Sequence, residues 1–180
     1  GELFGEGGEL THANRIREAA VHSPLVVWGS HLWTSGVYSD PVSLLDVGPM
    51  VFELAGLSPY EGFQGHVPDQ LSGKRVERPI FSSAMSLTEE DSVAVGKWRL
   101  TQARDQRSPS RLYDVTADPA ETRDQSSSNP SVVKCLEATL RDFQASQLGY
   151  YANPARASEF FPPQHPLADI PECAALHATP

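Results

Sequence analysis

Ser92-Val93-Ala94-Val95-Gly96-Lys97-Trp98-Arg99-Leu100-Thr101 decides how this chain is read. Two runs rich in β-branched and aromatic residues flank Gly96-Lys97, a two-residue link of the kind that closes a tight hairpin. Working outward, Ile80-Phe81-Ser82-Ser83-Ala84-Met85 predicts a strand before the hairpin, and Arg111-Leu112-Tyr113-Asp114 predicts one after it. Four short strands with tight links make a small antiparallel sheet. Residues 116–130 carry no apolar side chain beyond alanine and read as surface loop, with Asp118-Pro119 opening a turn and Asp114 and Glu121 as further turn formers. Asn129 then caps a helix whose first residue is Pro130, the preferred arrangement at a helix start. Val132, Val133, Leu136, Leu140 and Phe143 form one stripe opposite Lys134, Glu137, Arg141 and Asp142, which lays the helix across the sheet, with Trp98 packed between them.

On the other side of the hairpin, Pro24-Leu25-Val26-Val27-Trp28 is a continuous apolar run ending at Gly29. It predicts a strand buried on both faces. Val47, Met50, Val51, Leu54 and Ala55 follow helical spacing. Pro49 confines the helix start to the neighbourhood of Asp46, its expected cap, and Gly56 stops it. Residues 1–57 are therefore expected to contribute a loop, a strand and a helix to a larger domain. Residues 58–77 form a connecting loop, 78–148 a small sheet with its helix, and 149–180, with six prolines from Tyr150 onward, an irregular tail.

The chain has 180 residues, 39% hydrophobic and 21% charged, and a formal net charge of −9. That charge repels polyphosphate and anionic membrane, so nucleic acid is a poor partner. The longest apolar run is far too short to span a bilayer. Cys135 and Cys173, 38 apart, make neither a zinc spacing nor a disulfide framework and are expected to be free thiols.

Three stretches, in order, resemble the sulfatase family of the alkaline-phosphatase-like superfamily. Phe4-Gly5-Glu6-Gly7-Gly8-Glu9-Leu10-Thr11-His12, followed by Ala19-Ala20-Val21-His22-Ser23-Pro24-Leu25-Val26-Val27-Trp28-Gly29, is similar to the family's Gly-Glu-His-Gly segment and its Arg-Val-Pro-Leu-Ile strand. Pro41 to Leu57 is similar to the Val-Ser-Leu-x-Asp-Leu-x-Pro-Thr helix. Gly96 to Leu100 with Arg111 to Gln125 resembles the late hairpin and the Leu-Tyr-Asp-Leu-x-x-Asp-Pro-x-Glu signature. Gly7 stands where the family has His, and His22-Ser23 replaces Arg-Val. The family's Cys/Ser-x-Pro-x-Arg motif, source of its formylglycine, is absent from the sequence, as is its first Asp-Asp metal pair. The resemblance thus implies the C-terminal part of a sulfatase. The fold class would be α/β, combining part of an alkaline-phosphatase-like sandwich with a small antiparallel four-stranded sheet and one packed helix.

What the resemblance implies chemically is hydrolysis of a sulfate monoester, on a small molecule or a glycan. The formylglycine nucleophile and a divalent metal, usually calcium, would come from residues upstream of Gly1, in an N-terminal part that is this chain's expected partner. His12 falls where the family places a Lys or His on the sulfate, and an imidazole there can donate to a sulfate oxygen or protonate the leaving oxygen. Arg15 and Arg17 follow it and are candidates for an acidic substrate, against the plainer reading as surface arginines. Glu2, Glu6 and Glu9 fit no EF-hand spacing and read as a solvated acidic loop. His22, His31 and His66 share no ligand spacing. Two other readings stay open: a phosphonate or phosphate ester hydrolase of the same superfamily, and a non-catalytic packing module. By resemblance, the compartment is lysosomal, secreted or periplasmic.

Overall fold

The computed structural model describes residues 1–11, 15–29, 33–38, 41–58, 60, 62–68, 78–85, 89–105, 107–152 and 166–177. The chain forms two compact units. The first comprises Gly1–Leu25, Arg78–Arg141 and Pro166–Pro180; the second comprises Val26–Glu77 and Asp142–His165.

The first unit is built on a four-stranded antiparallel meander of β3 (Ile80–Met85), β4 (Glu89–Val95), β5 (Trp98–Ala103) and β6 (Arg111–Asp114), paired in that order. Gly96-Lys97 closes the central hairpin, with Val95 opposite Trp98. The register puts Phe81, Val93, Leu100 and Leu112 in one cross-strand row, and the last three are completely buried. Because strand side chains alternate between faces, Glu90, Ser92, Arg99, Thr101 and Tyr113 lie on the opposite face. These five are also buried. A sheet with one apolar and one polar buried face needs a different cover on each side.

The apolar face is covered by α3 (Pro130–Tyr151), whose Cys135, Leu136, Thr139 and Leu140 are all fully buried. Gln102 Nε2 donates to Ser110 Oγ at 3.1 Å, and Ser110 donates to Glu137 Oε1 on the helix at 2.6 Å, tying helix to sheet. The C-terminal segment departs from its expected irregularity. Pro171–Cys173 and α4 (Ala174–His177) are short helical turns, and Leu167, Ala168, Cys173 and Leu176 are buried. The cysteines are not free thiols. Cys135 and Cys173 form a disulfide across 38 residues, which spacing alone could not reveal, because pairing depends on where the fold brings the two sulfurs. Thr139 Oγ1 accepts the Ala168 amide at 3.0 Å and donates to the Cys135 carbonyl at 2.9 Å, so bond and hydrogen bonds act on the same turn.

In the second unit, α2 (Val47–Leu54) is entered through a capping box one turn earlier than Asp46 alone predicts. Ser43 is the cap, and Asp46 Oδ2 accepts the Ser43 amide at 2.8 Å. Asp46 is fully buried and its Oδ1 also accepts the His66 amide at 3.1 Å, so it staples the helix start to a later loop. Gly65 is required there: a Cβ would lie 2.0 Å from the Leu45 carbonyl oxygen. Phe63 meets the rings of Phe52 and Tyr60 edge to face, at 4.9 and 5.6 Å.

The expected strand at Pro24–Trp28 is not formed. Residues 22–29 have no regular structure, and Val26 and Trp28 are 84% and 98% exposed. The physical reason is pairing: a strand exists only through hydrogen bonds to a neighbour, and none of the described strands pairs with this run.

Candidate active-site segment

The polar face of the sheet is covered by the N-terminal segment. β1 (Leu3–Phe4) and β2 (Leu10–Thr11) pair antiparallel around a glycine-rich turn. The chain then passes through Arg15, Ile16 and Arg17 into the single-turn helix α1 (Glu18–Val21). His12 lies outside the described residues, as do Asn14 and His31.

Arg15 and Arg17 both lie within ion-pair reach of one carboxylate. Arg15 Nε lies 3.4 Å and Arg17 Nη2 4.0 Å from Glu9 Oε1, so Glu9 is an ion-pair partner rather than a solvated acid. Gly7, where the resemblance expects His, has φ +64°, and a Cβ there would meet the Arg17 guanidinium at 3.1 Å. The departure from the family pattern is therefore matched to the arginine beside it. Glu6 accepts the Phe4 amide within its own turn. Among the described residues, no group of three or more His, Cys, Asp or Glu side chains is placed to hold a metal ion.

From Ile16 onward the segment is bound to the sheet by charge. The Ile16 amide donates to Glu90 Oε2 at 2.9 Å, and Arg111 Nη2 approaches Glu90 Oε1 at 3.3 Å. Arg99, from the middle of β5, donates to Glu18 Oε2 through Nη2 and to Ser92 Oγ at 3.3 Å through Nη1. Its Nε stands 3.2 Å from Glu121 Oε1. Glu121 Oε2 accepts the Glu18 amide at 3.1 Å, and its carbonyl accepts Arg17 Nη1 at 3.2 Å. Burial pushes the Glu121 carboxyl above its ordinary range, against the opposing pull of Arg99. Among the described residues, four buried side-chain atoms lack a hydrogen-bond partner, and all belong to this cluster: Glu9 Oε2, Arg17 Nε, Arg99 Nε and Glu121 Oε1. Arg99 Nε and Glu121 Oε1 are close enough to attract but not aligned to hydrogen-bond.

Sequence reading missed Glu18, Arg99 and Glu121. The signal was faint but present: alternation places Arg99 on the face opposite Leu100, where an unpaired guanidinium would be costly. Asp118 is the turn former it was expected to be, accepting the amides of Thr122 and Arg123 at 2.8 and 2.9 Å. Glu121 leaves the turn and enters the interior. His22 Nδ1 sits 2.7 Å from Glu18 Oε1 at the surface. Beside α1 lies an open hollow of about 410 Å3 lined by Glu18, Ala19, His22, Pro24 and Pro119.

A small antiparallel sheet, a helix on one face and a charge-bound loop segment on the other define a mixed α/β chain, and by sequence this one is related to the sulfatase family. It is 30% identical over 128 residues to a choline-sulfatase of Rhizobium meliloti, covering 67% of this chain and 24% of that protein. It is 27% identical over 135 residues to arylsulfatase K of Danio rerio, covering 69% and 26%. The chain thus spans about a quarter of the length of these curated relatives. No protein-family model matches it. Among solved structures, Ps i-CgsB overlaps with a TM-score of 0.49 at 20% identity, over 68% of this chain and 27% of that one. A protein bound to its substrate D-glucosamine-2-N,6-O-disulfate overlaps with a TM-score of 0.46 at 16% identity, over 63% and 25%. Partial likeness of shape at this level says nothing of substrate.

Proposed function

We propose that this chain is the C-terminal part of an enzyme that hydrolyses sulfate monoesters. The observation that carries the reading is the 30% identity to a choline-sulfatase across two thirds of the chain, with three sulfatase-like stretches in their family order. The formylglycine nucleophile and the divalent cation are supplied by an N-terminal part, the chain's partner within one enzyme. By the family resemblance, His12 is the donor to sulfate or the acid for the leaving oxygen. Arg15 and Arg17, each near Glu9, are the cations offered to an acidic substrate. The substrate is a small-molecule or glycan sulfate.

The test uses the complete reading frame that contains this chain. Purified protein is assayed against an aryl sulfate, choline sulfate, a sulfated disaccharide and the matching phosphate ester. Turnover of a sulfate well above the phosphate supports the reading. Phosphate preference makes the enzyme a phosphoesterase, and no turnover of any ester, with the Cys/Ser-x-Pro-x-Arg motif absent upstream, leaves only a packing role. The 180-residue chain assayed alone is expected to give no turnover, because on this reading the nucleophile and metal ligands belong to the N-terminal part.

A further inference from the structure

Glu121 combines features that seldom coincide. It is 3% exposed, its backbone occupies the left-handed region at φ +52°, and it is the one non-glycine residue among those described to do so. A carboxylate side chain in that conformation costs of order 1–3 kcal/mol and persists only where the surroundings demand it. Here the demand is visible. The turn from Asp118 is closed by the Glu121 amide donating to the Asp118 carbonyl at 2.9 Å. From that conformation its carbonyl accepts from Arg17 and its carboxylate accepts the Glu18 amide. Helix α1 has no side-chain cap of its own. Glu121 supplies it from 103 positions away, through the Glu18 amide. Arg99 links Glu121 to Glu18 from the other side, and Glu90 pins Ile16. The contacts to Ile16, Arg17 and Glu18 fall on residues that follow His12 closely in the chain.

We propose that Glu121 is a positioning residue: it clamps the Arg17–Val21 stretch of the candidate active-site segment onto the polar face of the sheet. Arg99 is its counter-charge. This rests on the sulfatase reading for the role of the loop, but not for the clamp itself. It also assigns a physical task to the acidic end of the Leu112-Tyr113-Asp114 to Asp118-Pro119-Ala120-Glu121 stretch, which is to hold an active-site segment and not merely to turn the chain.

The experiment compares Glu121→Gln, Arg99→Lys and, as a stability control, Leu140→Ala, in the complete protein. It reads kcat and KM on the best sulfate ester, together with amide hydrogen exchange across residues 15–22. The proposal expects faster exchange in that stretch for both clamp variants and a fall in kcat of about ten- to a hundredfold with KM little changed. Leu140→Ala lowers the melting temperature but leaves both readings near wild type at temperatures where it stays folded. Glu121→Gln with unaltered exchange overturns the clamp. Faster exchange with unaltered kcat overturns the positioning role. A wild-type protein inactive on every sulfate ester sinks the sulfatase reading and the positioning role with it, while exchange still decides the clamp.

Discussion

Arg99 is a strand residue with 7% of its side chain exposed, between two carboxylates and a serine hydroxyl. Truncating one member of such a buried set leaves the others uncompensated, at about 3–5 kcal/mol. Arg99→Ala is therefore expected to lower the unfolding free energy of the first unit by that amount, seen as a lower urea midpoint with little change in slope, followed by tryptophan fluorescence. Asp118 gives a pH-dependent counterpart. The Arg123 amide, then the Thr122 hydroxyl and amide, hold its carboxyl below 3.8. Its folded value lies below its unfolded one, so its contribution is present above pH 3.8 and lost as pH falls through the depressed value. Asp118→Asn should make the acid limb of the melting-temperature profile shallower below pH 4, by calorimetry. Glu121 has the opposite sign, because burial raises it, and its contribution declines as pH rises from 4.5. At this scale the sequence was legible where a residue bonds locally, as Asp118 does. It was opaque where the partner lies 81 or 103 positions away, as for Arg99 with Glu18 and Glu121 with Glu18.

The elements that hydrophobic periodicity predicts are the ones that satisfy their own backbone. The hairpin about Gly96-Lys97 and helix α3 formed where period 2 and period 3.6 said they would. The run at Leu25–Trp28 has the composition of a strand but no neighbour to pair with, and composition cannot supply one. The C-terminal turns were hidden for the converse reason: six prolines argue against regular structure, but a covalent tie needs none. Leu136 is fully buried at the centre of the helix stripe, and Leu136→Ala should cost about 2–5 kcal/mol in the same unfolding assay. Reducing the disulfide, or replacing both cysteines by serine, should cost about 4 kcal/mol in the chain-entropy account of a 38-residue loop. Proteolysis should then begin in residues 166–177, as read by mass spectrometry.

Across the whole molecule, the two units differ in how much apolar surface they hide. The first buries both faces of its sheet. The second displays Val26, Trp28, Val37 and Leu44, each at least 84% exposed. Apolar display on this scale favours association. The isolated chain should self-associate as concentration rises, and Val26→Ser with Trp28→Ser should reduce this in sedimentation velocity. A sharp monomeric melt with no concentration dependence would show that the second unit needs no cover. The resemblance could foresee that the run needs neighbours, but not what covers it, because composition names no partner.

The Cys135–Cys173 bond carries a consequence for how the protein matures. Its sulfurs are sealed from solvent, so once made it is hard for glutathione to attack, and it must be made before the C-terminal turns close over it. Docking of the C-terminal turns therefore waits on an electron acceptor. A chain synthesised where thiols are kept reduced would complete its sheet and helix and leave its last turns undocked.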